Sequence, residues 1–338
     1  MDSHKIITCT GYGGTGSSII TDLLKEFKNV KSLGDFEFSL AHEVDGISDL
    51  QHAIVDDFHR NKVDEAIYRF KRLVKNLKKP YNIYFNNKFL EISDNYLKSL
   101  IDVRWEGFWH QHLWRKSQFS RRIQYSIPTH IQLLLHQFFG KSTGYEFVPS
   151  QKKSEIFLSY GKEKFFDATH AYVDSLFHQI DIENEYDFVA LDQLVPCYNL
   201  ERYLKYFNNL KIIIIDRDPR DLYLLNKLYW NEGWIPSEDI NVYIKWFDLI
   251  RQHQQYENWE NPDVIKIQFE DCIYDYENTL LKIIKFLGLN SDDHIRKRLF
   301  FNPDVSIKNT RLWEKEIHFR KETKLIEEML NKFCYGIS

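Results

Sequence analysis

Glycines and hydroxyl side chains crowd into one short stretch near the start of the chain, between a β-branched run at residues 5–9 and a helically spaced apolar run at residues 17–27. Glycines let a backbone turn back on itself and present successive N–H groups to one anion, and a following helix adds the positive partial charge of its N-terminus. The stretch therefore predicts a phosphate-binding loop formed by Gly11, Gly13, Gly14, Thr15, Gly16, Ser17 and Ser18.

The spacing Gly11-x-x-x-x-Gly16-Ser17-Ser18 resembles a P-loop whose lysine is missing, because Ser17 stands where that lysine would be. This substitution argues against hydrolysis of ATP or GTP. A simple turn between a strand and a helix is the alternative interpretation of the same glycines.

A second cluster predicts another anion site. The apolar run at residues 211–215 leads into alternating acids and arginines, and Pro219 suits the first turn of a helix. Arg217 would lie at the carboxyl end of this strand, at the sheet edge where α/β folds bind ligands, and could hold a phosphate through paired hydrogen bonds. Salt bridges from Arg217 or Arg220 to Asp218 or Asp221 are the alternative.

The elements that position these two clusters alternate along the chain. Further strands are predicted at residues 188–191 and 264–268, and helices at 200–207, 222–229, 242–255 and 278–286. This alternation predicts an α/β fold with a central parallel sheet flanked by helices. Residues 45–180 have helical spacing at 47–78 and 129–141 but few convincing strands. We interpret the chain as one α/β domain spanning 1–338, with 45–180 as a largely helical insertion that shapes an acceptor region.

Composition excludes several function classes. The chain has 338 residues, 28% charged side chains and a formal net charge of −4, which does not favour nucleic acid as a partner. Its four cysteines are widely spaced, so we expect reduced thiols, no structural zinc and a cytoplasmic location. We expect no signal peptide and no membrane span, because no apolar run is long enough.

The two clusters together resemble the sulfotransferases that use 3′-phosphoadenosine 5′-phosphosulfate (PAPS). The resemblance covers residues 5–28 and about 187–289, including 208–223 and the strand, Glu-Asp and Phe-Leu-Gly-ending helix of 266–289. It implies a P-loop NTPase-like fold, PAPS as the sulfuryl donor and 3′-phosphoadenosine 5′-phosphate (PAP) as the product. It also implies that the first loop holds the 5′-phosphosulfate and that the strand and helix around Arg217 hold the 3′-phosphate.

Two positions depart from the family pattern. The family usually has Lys or Arg where this chain has Gly14, and a serine where it has Leu225, with Asn226 beside it as a substitute. The family's C-terminal lid over the nucleotide would correspond to residues 306–313, which supply Lys308 and Arg311 but no glycine. These departures affect catalysis more than nucleotide binding.

Sulfuryl transfer needs a base on the acceptor hydroxyl or amine, and the sequence offers several. Glu37 follows the first helix, where some bacterial members of the family carry a catalytic glutamate; His42 is close behind, and His170 could be oriented by Asp167 or Asp174. No metal site is expected. An aromatic run containing Trp105, Trp109 and Trp114 would suit stacking on a sugar, which makes a glycan or glycan precursor a candidate acceptor beside other small molecules, although core packing is the alternative for these rings.

Two other functions remain open from sequence. One is a P-loop small-molecule kinase that binds ATP with magnesium. The other is a non-catalytic nucleotide-binding relative of the sulfotransferases, which Gly14 and Leu225 would favour. Neither the acceptor nor the oligomeric state can be read from the residues.

Overall fold

A computed structural model describes residues 5–141 and 143–336. Its main feature is a five-stranded sheet in which every neighbouring pair is parallel, in the order β2-β5-β1-β6-β7. A separate antiparallel hairpin pairs β3 with β4. The strands are β1 Lys5–Gly11, β2 Val30–Glu37, β3 Val103–Gly107, β4 Ser154–Leu158, β5 Phe188–Asp192, β6 Leu210–Asp216 and β7 Val264–Gln268.

Helices cover both faces of the sheet, as a parallel sheet requires. The α-helices are α1 Ser18–Leu24, α2 Ile47–Gln51, α3 Arg60–Asn82, α4 Phe89–Leu100, α5 Gln118–Arg121, α6 Ile127–Phe139, α7 Lys162–Ile180, α8 Leu200–Leu204, α9 Pro219–Leu225, α10 Ile240–Leu249, α11 Asp271–Tyr274, α12 Tyr276–Leu287, α13 Pro303–Ser306, α14 Leu312–Lys315 and α15 Arg320–Leu330.

Short helical turns extend or join these helices. Single π-helical turns are formed by His52–Asp56, Arg122–Ser126 and Asn226–Trp230. Turns of 3₁₀-helix are formed by His110–Arg115, Gln252–Tyr256, Ser291–Asp293, Ile307–Asn309, Ile317–Phe319 and Asn331–Phe333.

Side chains along the strands alternate between two cores. In β6, Ile212 and Ile214 belong to one buried cluster, and Ile213 and Ile215 to another. The first cluster includes side chains of α3, α4 and α7, and the second includes side chains of α1 and α12. The continuous apolar run of β6 is therefore explained by burial on both faces. Helices from residues 45–180 form a layer against the sheet itself.

The predicted fold class and its four strands are confirmed. The sequence did not predict β2 or the hairpin β3–β4. In β2, polar residues and Gly34, whose φ is +69°, interrupt the apolar pattern, and the pairing with β5 shifts register between Ser32 and Glu37. In the hairpin, most of β3 is exposed, so no alternation marks it. Within the described part of the chain, no helix has the length and apolarity to cross a membrane.

Candidate functional site

A cavity of about 650 Å³ opens at the carboxyl edge of the five-stranded sheet. Every strand of that sheet contributes a residue at or just beyond its end: Gly11, Glu37, Asp192, Arg217 and Phe269. Parallel strands bring their carboxyl ends to one edge, which explains how residues from distant parts of the chain meet here. The remaining lining residues are Gly13, Gly14, Gly16, Ser17, Ser18, Ile19, Ser39, His42, Gln193, Trp230, Glu232, Trp234, Ser306 and Asn309.

The loop between β1 and α1 needs glycine at specific positions. Gly13 and Gly16 both have φ of +90°, a conformation that other residues rarely adopt. A Cβ on Gly13 would come within 2.5 Å of the Trp234 ring, and one on Gly16 within 2.6 Å of the Phe269 ring. The backbone is therefore pressed against two aromatic side chains that also line the cavity.

This loop contains backbone donors that have no acceptor among the residues that the structure describes. Among the hydrogen bonds of the described residues, none is donated by a backbone N–H from Gly13 to Ser17. Helix α1 has only seven residues, so the loop amides rather than a long helix dipole supply the positive potential. The Ser17 hydroxyl donates to Asp192 at 3.2 Å and lies 3.2 Å from the Gln193 amide nitrogen, which ties the loop to the end of β5.

Arg217 follows β6 and is only 2% exposed, yet no ion pair involves it in the described part of the chain. Its Nη2 donates to the backbone oxygen of Asn309 at 2.5 Å, and its Nε has no acceptor. The guanidinium lies 4.0 Å from the centre of the Phe269 ring and 5.8 Å from that of Trp230. Burial lowers the pKa of Arg217, although an arginine stays charged.

Other charges around β6 are paired, which is what the salt-bridge alternative predicts for Arg220. Its guanidinium contacts Asp218 at 2.6 Å and Glu327 at 2.8 Å. Asp216 contacts Arg251 at 2.7 Å; burial would raise the pKa of this carboxyl, but the cations Arg251 and Lys266 hold it below its usual range. Arg217 therefore differs from its paired arginine neighbours.

Two buried carboxyls behind Arg217 hold their protons more tightly than usual. Burial raises the pKa of Glu270 to about 8, and burial together with Asp218 raises that of Asp221 to about 6. One Glu270 oxygen accepts the Asp218 backbone N–H at 3.0 Å, and the other has no partner. Glu270, Asp221 and Asp218 each raise the pKa of Arg217 and so offset part of its positive charge, but among the described residues none of them forms an ion pair with it.

The predicted lid reaches the cavity through different residues than the sequence suggested. Ser306 and Asn309 line the cavity, whereas Lys308 and Arg311 do not and are exposed. The Arg311 guanidinium lies 4.6 Å from the Tyr274 ring centre. Asp221 accepts the backbone N–H groups of Arg311 and Leu312 at 2.8 and 2.7 Å, which fixes the segment.

Asn226, suggested as a substitute for the family's serine, is buried and engaged in holding a loop. Its amide nitrogen donates to the oxygens of Ile235 and Ser237 at 3.1 and 2.8 Å, and its oxygen accepts the Glu232 N–H at 2.8 Å. It does not line the cavity. The structure therefore uses Asn226 to place Glu232 and Trp234 rather than to present a donor to a ligand.

Two of the three candidate bases face the cavity. Glu37 is exposed at the end of β2, and His42 is half-buried in the loop that follows. The His42 Nδ1 is buried without a hydrogen-bond partner, and burial lowers the pKa of its ring. The imidazole is therefore neutral near pH 7 and can accept a proton.

The third candidate, His170, does not line the cavity. It lies on α7, and its Nε2 is 2.9 Å from the carbonyl oxygen of Lys205, the residue that directly follows α8. Trp105, Trp109 and Trp114 are also outside the cavity lining; the first two contact each other edge to face, with ring centres 5.8 Å apart. In the described residues no group of three or more His, Cys, Asp or Glu side chains could hold a metal ion.

Sequence reasoning missed the aromatic lining. Phe269 directly follows the predicted strand at 264–268, so its position at the sheet edge was a usable signal. Trp230 and Trp234 follow a helix, and nothing in their spacing shows that they return over Gly13 and Gly14. That return depends on Asn226 and the π-helical turn Asn226–Trp230.

No family model matches the chain, and no curated protein matches it. Solved structures do match. Sulfotransferase STF1 from Mycobacterium tuberculosis H37Rv shares 10% identity, over 92% of this chain and 77% of its own, with a TM-score of 0.35. The sulfotransferase domain of the Synechococcus PCC 7002 olefin synthase shares 10% identity, over 97% and 94%, with a TM-score of 0.39. Retinol dehydratase in a complex with retinol and PAP shares 12% identity, over 100% and 83%, with a TM-score of 0.36. At such identities and TM-scores the function has to be derived from the side chains of the cavity.

Proposed function

We propose that the chain is a sulfotransferase that takes a sulfuryl group from PAPS and transfers it to a hydroxyl or an amine. One observation carries this proposal. Among the described residues, the buried guanidinium of Arg217 has no carboxylate in ion-pair contact and an unused Nε, and Arg217 shares a cavity with the unpaired N–H groups of the loop from Gly13 to Ser17. Buried donors without acceptors are costly unless a ligand satisfies them.

The residues of the cavity fit a nucleotide that carries anions at two separate positions. The loop amides and the Ser18 hydroxyl suit the 5′-phosphosulfate, and Arg217 suits the 3′-phosphate. Aromatic rings of Trp230, Trp234 and Phe269 supply flat apolar surface for a base. When bound, the nucleotide supplies the sulfuryl group and leaves as PAP.

The loop has to act without its usual cation. Gly14 has φ of +66°, and a Cβ there would approach Leu222 Cδ1 to 2.9 Å, so this backbone does not favour a lysine at that position. The unpaired loop N–H groups are the donors that remain to stabilise negative charge on a leaving oxygen. We expect slower turnover than a loop with lysine would give.

His42 is the base that the geometry favours. A neutral imidazole that lines the cavity can take the acceptor's proton, and Glu37 at the same edge can orient the acceptor. A glycan acceptor would have to extend beyond the cavity to stack on Trp105 or Trp109. We propose it as one class of acceptor among small-molecule alcohols and amines.

Calorimetry with three nucleotides tests the donor site. We expect PAP to bind more tightly than adenosine 5′-phosphate and than ATP with magnesium. Arg217→Ala should weaken PAP binding by about 1–3 kcal/mol, the loss expected for a charged hydrogen bond, and leave adenosine 5′-phosphate nearly unaffected. Arg104→Ala, on the exposed strand β3, is the matched control and should change neither. Preference for ATP would instead indicate the kinase.

The missing loop cation favours a second candidate, a relative that binds the nucleotide without turning it over. Transfer of label from sulfur-labelled PAPS to a panel of phenols, alcohols, amines and oligosaccharides separates the two. Tight PAP binding with no labelled product from any acceptor class would favour the binding protein.

A further inference from the structure

Helix α6 has an apolar surface that no described residue of the chain covers. It contains no Asp, Glu, Lys or Arg, and none of its residues is buried. Leu133, Leu135 and Phe139 on the neighbouring faces of α6 are exposed as well, at 44%, 53% and 82%. The apolar surface includes a stripe made of Ile127, Ile131, Leu134 and Phe138, which are 47%, 52%, 52% and 73% exposed. Their spacing of four, three and four residues places them on one side of a helix.

The opposite side of α6 is held by the chain that follows it. Gln132 exchanges two hydrogen bonds with the backbone of Ser150, at 2.9 and 2.7 Å. The His136 ring stacks on Phe147 with centres 4.1 Å apart, and the Gln151 amide donates to the Thr129 hydroxyl at 2.9 Å. These contacts occupy the polar side of α6, which lies opposite the apolar stripe, and leave the stripe exposed.

Basic residues surround the stripe in sequence. Residues 116–153 carry one acidic side chain, Glu146, and six basic ones, a net charge of +5 in a chain whose total is −4. The six are Lys116, Arg121, Arg122, Lys141, Lys152 and Lys153. Positive charge beside an exposed apolar helix is the pattern of proteins that lie on anionic lipid surfaces.

We propose that the α6 stripe and its flanking basic residues dock this protein on an anionic phospholipid bilayer. The helix lies in the plane of the interface, with the stripe at the acyl boundary and the lysines and arginines among the headgroups. At 13 residues α6 is about 20 Å long, too short to span a hydrocarbon core of about 30 Å.

Charge decides between a bilayer and a second copy of the chain as the occupant. Two copies that met through this surface would bring two segments of net charge +5 together, and like charges oppose that contact. Anionic headgroups neutralise the same charges. The bilayer therefore satisfies both the apolar stripe and the basic flanks, whereas a homodimer satisfies only the stripe.

Vesicle sedimentation with the full chain tests the proposal. We expect binding to vesicles of phosphatidylcholine mixed with phosphatidylserine, weaker binding to pure phosphatidylcholine, and release by salt. The double variant Leu134→Gln/Phe138→Gln should reduce binding by about tenfold or more, because it removes two apolar side chains from the interface. Arg121→Gln/Arg122→Gln should reduce only the part that depends on phosphatidylserine.

Leu281→Gln on α12 is the matched control, since Leu281 is 57% exposed and lies outside the stripe. It should bind vesicles like the unaltered protein. All four proteins should bind PAP equally, so failure of the nucleotide site would not be confused with failure of this surface. Equal vesicle binding by the Leu134→Gln/Phe138→Gln variant would overturn the proposal. The proposal would also be overturned, in favour of a second copy, if the unaltered protein formed a concentration-dependent dimer and bound no vesicles, and if Leu134→Gln/Phe138→Gln were monomeric.

Discussion

The guanidinium of Arg217 donates a hydrogen bond of 2.5 Å to the backbone oxygen of Asn309, 92 residues further along the chain. Asp221 accepts hydrogen bonds from the backbone N–H groups of Arg311 and Leu312 in the same segment. Residues that follow β6 therefore both line the cavity and fix a segment that contributes to its lining. Ser306 and Asn309 of this segment line the same cavity as Arg217.

Arg217 and Arg220 should respond in opposite ways to the same substitution. Arg217→Met removes a buried charge that has no carboxylate partner, so the ligand-free protein should gain about 1–2 kcal/mol of unfolding free energy. Arg220→Met leaves Asp218 buried without its cation and should cost about 3–5 kcal/mol. Urea unfolding of the two variants beside the unaltered protein measures both effects.

Nucleotide binding shows whether the stability change in Arg217→Met accompanies the loss of a ligand site. Arg217→Met should lose the preference for PAP over adenosine 5′-phosphate while gaining stability, a combination that a purely structural arginine would not give. A clear loss of stability in Arg217→Met would mean that its charge is compensated in the folded protein, and the proposed donor site would lose its main support.

The same two arginines show how far the sequence could predict the site. Both stand in one run of acids and arginines, and local spacing cannot distinguish them. The structure does so because Glu327 and the backbone oxygen of Tyr335, more than a hundred residues away, engage only Arg220. Local patterns predicted the order of strand, glycine-containing loop and helix at the start of the chain, and the ends of four strands to within two residues. Local patterns could not predict that residues far along the chain would pair with Arg220.

The lining of the cavity shows a similar limit. The position of Glu37 depends on β2, whose bulge at residues 32–37 hides its strand pattern. Trp234 reaches Gly13 only because Asn226 holds the loop between them. Backbone positions that follow a regular strand could be predicted, whereas positions set by one buried side chain could not.

Gly16 should be less tolerant of substitution than a glycine with similar backbone geometry in open space. Gly16→Ala would combine φ of +90° with a clash at Phe269, and should cost more than about 1 kcal/mol and abolish tight PAP binding. Gly288, at the end of α12, has φ of +69° and nothing within 4 Å of a Cβ. Gly288→Ala should therefore cost only about 1 kcal/mol and leave PAP binding unchanged. Unfolding curves and PAP titrations of both variants measure this, and equal losses in both would argue against a crowded phosphate loop.

Protonation of His42 should cause the fall of kcat/KM at low pH, which is the acid limb of the pH profile. Because burial lowers the pKa of this ring, kcat/KM should fall with decreasing pH only below about 6.5, the ordinary histidine value. His42→Asn should lower kcat/KM by about 10²–10⁴ and remove that limb, as expected for loss of a general base. Glu37→Gln should keep the limb and change mainly KM. The measurement is a pH profile with any active acceptor; a limb that disappears with Glu37→Gln and persists without His42 would assign the base to Glu37.

Glu270 should make stability depend on pH in a direction that a substitution can test. Burial raises the pKa of Glu270 to about 8, so the folded protein keeps a proton that the unfolded chain releases at its lower ordinary pKa. The favourable contribution of this carboxyl is complete below that ordinary pKa and is lost as pH rises towards about 8, at up to about 1.4 kcal/mol per pH unit.

Glu270→Gln keeps an oxygen for the Asp218 N–H and cannot ionise. Its unfolding free energy should therefore vary less between about pH 5 and 8, and should exceed that of the unaltered protein above pH 8. Asp221, with a pKa of about 6, leaves a smaller slope in both proteins at lower pH. Urea unfolding across this range measures the two slopes, and identical slopes would show that Glu270 is already ionised beside Arg217.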